Sequence, residues 1–243
     1  MEETPLVKMV NIHKWFGKVH ALKGVDFEVW KGEIVGLVGD NGAGKSTLIK
    51  ILSGVYQPDK GEIYFEGKKV KIPSPAFARA LGIETVYQDQ ALVPYMDVMR
   101  NVFMGREICK KLGFLDLKAM EEKSMEALRN LGLRIRSPRA LVALLSGGER
   151  EGVAIARAMF FKAKLVILDE PTVALSIKEA QKVLEFVKQL KDQGISCIFI
   201  SHNLYHVYPV ADRFVVLSRG RKVADVKKEQ TSIEELAEII VSG

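Results

Sequence analysis

Gly39-Asp40-Asn41-Gly42-Ala43-Gly44-Lys45-Ser46, followed by Thr47, has the residue types and spacing to grip a chain of phosphates. It fits G-x-x-x-x-G-K-[ST]. Glycines let a backbone curl until its N–H groups converge on phosphate oxygens. Lys45 supplies a cation for the β- and γ-phosphates, and the Ser46 hydroxyl is a ligand for Mg²⁺. Further along, Leu165 to Leu168 form an apolar run that ends in Asp169 and Glu170. Such a run places both acids at the C-terminal edge of a buried strand, where α/β sheets bind ligands. There Asp169 can hold Mg²⁺ and Glu170 can polarise an attacking water. A third stretch, Leu145-Ser146-Gly147-Gly148-Glu149, runs straight into a helical pattern. It has the look of a second anion-binding helix N-terminus. It also fits a capping box, with Ser146 and Glu149 three residues apart, although a box alone leaves Gly147 and Gly148 without a purpose.

These groups need elements to position them. "EIVGLVG" reads as a buried strand, and a helix pattern begins at Lys45 and reaches about Ser53. Strand, Gly-rich loop and helix are the context a phosphate loop requires. "PLVKMVNI", "VDFEVW", "GEIYFEG" and "GIETVYQ" read as further strands. From Asp89 to about Phe161 the strand runs give way to helical patterning, most clearly over Leu117–Leu131 and Glu149–Phe161. Strand texture returns with "KLVILDEP", "ISCIFIS" and "RFVVLSRG". A helix is expected at 178–191, with Ala180, Val183, Leu184, Val187 and Leu190 on one face, and a closing helix near 232–241. Apolar strands alternating with helices argue for an α/β fold with a largely parallel sheet.

Length and composition agree. A chain of 243 residues suits one large domain, or one carrying an inserted subdomain. The formal net charge of +6 is compatible with nucleic acid or an anionic membrane surface and selects neither. Cys109 and Cys197 have no metal-ligand spacing, and Cys197 sits in an apolar run as a core thiol; a reducing compartment is expected. No secretory leader is read in "MEETPLVKMVNI", and no apolar run approaches the roughly 20 residues that span a bilayer. Any membrane role is therefore expected to go through a partner.

Taken in order, these motifs resemble the ATP-binding subunits of ABC transporters across nearly the whole chain. The resemblance implies a P-loop NTPase core (1–88 and 162–243), an N-terminal antiparallel β subdomain, and an inserted helical subdomain (89–161). It implies ATP and Mg²⁺ as ligands. Phe16 in "KWFGKVHAL" matches the aromatic residue placed against adenine, with Trp15 as neighbouring candidate and core packing as the alternative for both. Gln88 in "VYQDQ" matches the glutamine that contacts Mg²⁺ or water; Gln90 is read as an exposed loop residue. His202 in "FISHN" matches the histidine that contacts the γ-phosphate and helps position water. His13, His20 and His206 match nothing and form no metal-type cluster by spacing.

"LSGGE" resembles the family's signature sequence. That implies Ser146, Gly147, Gly148 and Glu149 face the phosphate loop of a second copy, so that ATP lies between two chains. Two positions depart from the family pattern: Glu149 stands where glutamine is usual, and Ser176 stands where an aspartate usually links the two subunits. Ser176 carries no charge, so weaker coupling between the two sites is expected. "VYQDQALVPYMDVMRNVFMGRE" and "SHNLYHVYPVADRFVVLSRGRKV" are most similar to importers of simple sugars of the ribose and xylose type. Those often fuse two ATPase halves, whereas one set of motifs stands here and the end falls soon after the core, with no room for a regulatory C-terminal domain. The implied partners are a second copy, integral membrane permease subunits and, indirectly, a substrate-binding protein. The implied location is the cytoplasm, peripheral on the inner face of the cell membrane. A subunit for another transported substrate is one alternative; a nucleic-acid- or ribosome-associated ABC ATPase is another, disfavoured because no tandem cassette, coiled coil or zinc module is visible, and no nucleic acid partner is expected.

Overall fold

Short apolar runs rich in Val and Ile make the central sheet, because β-branched side chains suit a pleated surface buried on both sides. The computed structural model describes residues 4–87, 92–130, 133, 135–160, 163–173 and 175–243. Strands β1 (Val7–Phe16), β2 (Val19–Val29), β4 (Lys60–Phe65) and β5 (Lys68–Val70) form one antiparallel sheet in the order β2-β1-β4-β5. The second sheet joins β3 (Ile34–Val38), β6 (Ile83–Val86), β7 (Leu165–Asp169), β8 (Ser196–Ile200), β9 (Arg213–Ser218) and β10 (Arg221–Lys227) in the order β10-β9-β3-β8-β7-β6. All its pairings are parallel except that of β10 with β9.

Side chains alternate between the two faces of this sheet with the strand period of two. Val35, Leu37, Leu165, Ile167, Ile198 and Ile200 join one buried cluster. That cluster also holds Val7, Met9, Val25 and Phe27 of the antiparallel sheet, together with helix α1 (Lys45–Leu52) and Ala78 of α2 (Pro75–Leu81). Ile34, Val38, Val166, Leu168, Cys197 and Phe199 face the other way. They pack with α3 (Val98–Phe103), α4 (Leu117–Asn130), α5 (Gly147–Phe160), α6 (Ile177–Asp192), the short α7 (Leu204–Val207) and α8 (Ile233–Ser242). Each large side chain fully withdrawn from water, such as Phe103 or Phe199, contributes about 1.5–3 kcal/mol.

The long helices match the sequence periodicity to within a residue or two. Ala180, Val183, Phe186, Val187 and Leu190 are the buried face of α6, with Leu184 half-buried beside them. Ser74, Asp97, Ser176 and Ser232 cap α2, α3, α6 and α8 through side-chain oxygens. Cys197 is buried as expected, and burial pushes its thiol pKa up. Five of the described elements carry no clear sequence pattern: β5, α2, α3, α7 and β10. The first four are short, and β10 presents charged residues on an edge strand whose pairing partner β9 defines it. Among the described residues, no helix is long and apolar enough to cross a membrane.

Candidate functional site

The phosphate loop joins β3 to α1, as its motif requires. Gly39 holds φ at +139°, and a Cβ there would lie 2.1 Å from the Leu217 carbonyl oxygen, so only glycine fits. Gly44 caps α1 in a left-handed conformation with no side-chain cap bond, and no acidic residue lies in the first turn. The amides of that turn are thus left for an anion, with the helix dipole behind them. From outside, the Gly220 N–H, in the β9–β10 turn, donates to the Ala43 carbonyl at 3.0 Å.

Lys45 is buried, and its Nζ donates to the carbonyls of Gly39 at 2.6 Å and Asp40 at 3.0 Å. Burial lowers its pKa, and the charges of Glu170, Asp169 and Asp40 work against that drop. The loop's own carbonyls therefore hold the ammonium beside the place a phosphate would enter.

Asn41, Gly42, Ala43, Gly44, Lys45, Ser46 and Thr47 line a cavity of about 360 Å³ together with Asp169, Glu170 and His202. Sheet topology explains the meeting: β3, β7 and β8 are parallel, so the segments just beyond them emerge at the same edge. Asp169 ends β7, and burial first, then the neighbouring Glu170 charge, raise its pKa. A carboxylate so placed, with the Ser46 hydroxyl on the same cavity, is a hard-oxygen donor pair suited to Mg²⁺.

Glu170 adopts φ +54°, a left-handed conformation that costs a non-glycine residue about 1–3 kcal/mol. Its amide donates to the Ile200 carbonyl at 3.0 Å. Its Oε1 accepts the His202 backbone N–H at 3.1 Å and lies 2.8 Å from His202 Nδ1. Facing an acceptor-only carboxylate, Nδ1 carries the proton. The Ser201 hydroxyl donates to Oε2 at 3.4 Å. Glu170 and His202, separated by 32 positions, are thus one unit. Ser201 and the cavity residues Ala21, Val173 and Ile200 have no motif to mark them in the sequence.

Phe16 sits at the tip of the β1–β2 hairpin, 41% exposed, with its ring edge-on to Tyr56 at 5.2 Å. Core packing is therefore not its role. It does not line the phosphate cavity; Ala21, on β2, does. Trp15 instead stacks on His20, centroids 4.1 Å apart, with His13 beyond. Gln88 and Gln90 lie outside the described residues. His206 bonds the Thr172 hydroxyl at 2.9 Å, and among the described residues no group of three His, Cys, Asp or Glu could hold a metal ion.

Ser146 to Glu149 do not line this cavity. Glu149 Oε2 accepts the Ser146 N–H at 2.8 Å, and the Ser146 hydroxyl oxygen accepts the Glu149 N–H at 3.2 Å. That is the capping box, and it turns the carboxylate back onto its own helix. The two glycines have a packing role that the sequence concealed. A Cβ on Gly147 would lie 2.8 Å from Leu175 Cδ2, and one on Gly148 would lie 3.0 Å from Glu179 Cγ. They let α6 close on the start of α5. Sequence reading missed Glu179 itself, whose Oε1 accepts the Gly148 N–H at 3.1 Å; only its S-x-x-E spacing from Ser176 was visible.

The family described as ABC transporter matches residues 22–173. The chain is 51% identical to the xylose/arabinose import ATP-binding protein XylG of Sulfolobus acidocaldarius, over 98% of this chain and 94% of that protein. It is 46% identical to the ribose import ATP-binding protein RbsA 1 of Rubrobacter xylanophilus, over 98% of this chain but 47% of that protein, so it spans about half of that relative. Among solved structures it resembles a nucleotide-free ATP-binding cassette from an ABC transporter, with TM-score 0.83, 28% identity, and coverage of 98% of this chain and 96% of that one. It also resembles a dimeric ATP-binding cassette in a post-hydrolysis state bound to ADP and Pi, with TM-score 0.78, 26% identity, and coverage of 91% and 98%. With phosphate loop, acidic pair and histidine on one sheet edge and these likenesses over nearly its full span, the chain belongs to the ABC transporter family as an ATP-binding, ATP-hydrolysing subunit.

Proposed function

We propose that two copies of this chain close around ATP and that hydrolysis powers import of a simple sugar through membrane permease subunits. The observation that carries the chemistry is the shared cavity of Lys45, Ser46, Asp169, Glu170 and His202. In this reading the amides from Gly39 to Thr47 and the Lys45 ammonium receive the triphosphate. Ser46 and Asp169, with Gln88, would hold Mg²⁺, which when bound neutralises charge on the phosphate oxygens. Glu170 accepts a proton from water, and His202, through Nδ1, fixes the orientation of that carboxylate. Phe16 offers an exposed ring for adenine.

Ser146, Gly147 and Gly148 of the second copy complete the site from the far side of the γ-phosphate; the dimeric state of a similar ATP-binding cassette supports the pairing. Glu149 serves as cap, not as phosphate contact. The helical segment 89–161 carries the motion to the permease. The sugar reading rests on the relatives named for xylose/arabinose and ribose import. It places the subunit on the inner face of the cell membrane, with a substrate-binding protein engaging the permease from the opposite side.

The test is to purify the chain with its partners from native membrane, identify the attached proteins, and reconstitute them in liposomes. ATP hydrolysis stimulated by a simple sugar together with the binding protein is expected. A permease partner whose complex responds only to a non-sugar substrate would overturn the sugar reading and leave the ATPase reading standing.

A further inference from the structure

The Glu179 carboxylate holds two elements at once. Its Oε1 accepts the Gly148 N–H at 3.1 Å, in the first turn of α5. Its Oε2 accepts the Ser176 N–H at 3.1 Å and the Ser176 hydroxyl at 2.8 Å. Ser176 also caps α6 by accepting the Glu179 amide. These bonds hold the carboxyl at a pKa of about 2, so it is charged at any physiological pH. An anion thus already occupies the N-terminus of α5, the position at which a helix start favours negative charge. The fit is close: a Cβ on Gly148 would lie 3.0 Å from Glu179 Cγ and 3.1 Å from its Cβ. The side chain is nonetheless only half-buried, so solvent is open to it as it leaves.

We propose that Glu179 is the resting occupant of the anion seat formed by Gly148, and that the γ-phosphate bound by the partner copy must displace it for the pair to close. The proposal rests on the reading that Ser146–Gly148 meet the partner's nucleotide. One amide proton cannot serve a carboxylate and a phosphate with full strength, and two anions at that distance repel. Glu179 therefore competes with ATP from within the chain and sets how much nucleotide is needed for closure. Displacement also removes the partner of Ser176. The chain between Ser176 and Glu170 carries Val173, a wall of this chain's own cavity, whose N–H donates to the Glu170 carbonyl at 3.2 Å. Where the family pattern has a charged aspartate, this chain has a serine and a carboxylate one helical turn on.

The test uses the full chain with Glu170→Gln, which slows hydrolysis, and compares it with the same chain also carrying Glu179→Gln. Glutamine still completes the capping box on α6 and removes only the charge. Sedimentation measures the dimer fraction against ATP concentration in the presence of Mg²⁺, and thermal melts check the fold. The expected result is a melting midpoint modestly lowered at neutral pH with the transition still cooperative, and a half-point for ATP lowered about tenfold, since a neutral amide binds Gly148 more weakly than a carboxylate does. A half-point that stays in place or rises, in a parent that does dimerise, overturns the competition and leaves the shared-site reading intact. A parent and a variant that both remain monomeric at every ATP concentration overturn the shared-site reading, and the competition with it. Glu179→Ala should lower the half-point in the same direction; a rise there with Glu179→Gln unchanged shows a cap and nothing more.

Discussion

Replacing Glu170 by glutamine isolates one proton transfer. The substituted side chain would keep an Oε1 acceptor for the His202 N–H and Nδ1–H, now at 3.1 and 2.8 Å. Its amide nitrogen would face the Ser201 hydroxyl, which can turn to accept. The φ of +54° is as costly for glutamine as for glutamate, so strain cancels between the two proteins. The change is confined to the ability to take a proton from water. Loss of a positioned general base slows a reaction by about 10²–10⁴-fold, equivalent to about 2.7–5.4 kcal/mol in the barrier. Phosphate release at saturating ATP and Mg²⁺ measures kcat, and nucleotide titration measures affinity. The expected outcome is kcat reduced within that range with ATP affinity retained within about threefold. A kcat within about tenfold of the unaltered protein, with the fold intact, would show that Glu170 is not the base.

Three further outcomes are expected from the same contacts. Glu149→Gln should leave both the ATP-dependent dimer half-point and the melting temperature nearly unchanged, because glutamine completes the same box with Ser146; a marked tightening of dimerisation would mean that the carboxylate faces phosphate after all. Gly152→Ala places a Cβ 2.1 Å from Leu133 Cδ1 in the packing of α5. Overpacking of about 1–3 kcal/mol exceeds the roughly 1 kcal/mol gain in helix propensity, so urea unfolding should show a lower midpoint. The Glu179 carboxyl, lowered from 4.5 to about 2 by folding, contributes stability that is complete above about pH 4.5 and lost as pH falls toward 2. Melts of Glu179→Gln and of the unaltered protein should therefore converge over that window, and a constant gap down to pH 2 would contradict the bonding of that carboxylate.

The expected phosphate loop was legible because its function is local. Eight consecutive residues between one strand and one helix define it, and glycine is demanded by backbone geometry that no distant contact can alter. The acid pair was legible for a similar reason: an apolar run has to be a buried strand, and the residues at its C-terminal end must surface at the sheet edge. The long helices announced themselves by periodicity, while β10 did not. Its residues alternate Arg, Lys, Val, Ala, Asp, Val, Lys, and it is a strand only because β9 supplies hydrogen bonds along one side.

Other assignments required the chain to be folded. The resemblance favoured Phe16 over its neighbour Trp15, with core packing as the alternative for both. Strand alternation separated them, sending Trp15 onto two histidines and leaving the Phe16 ring open beside Tyr56. Sequence likewise left Glu149 between cap and phosphate contact, and hydrogen bonds to Ser146 decided for the cap.

Sequence alone therefore determined that a glycine-rich loop joins a buried strand to a helix and where most strands and the long helices run, because those depend on near neighbours in the chain. Only tertiary structure decided that Glu170 leans on His202 and that Glu179 occupies the amide of Gly148. Each of those contacts joins residues about thirty positions apart, brought together by parallel strands in one case and by the close approach of α5 and α6 in the other. No periodicity encodes such a distance. It arises from how the buried faces of whole elements find the packing that removes them from water.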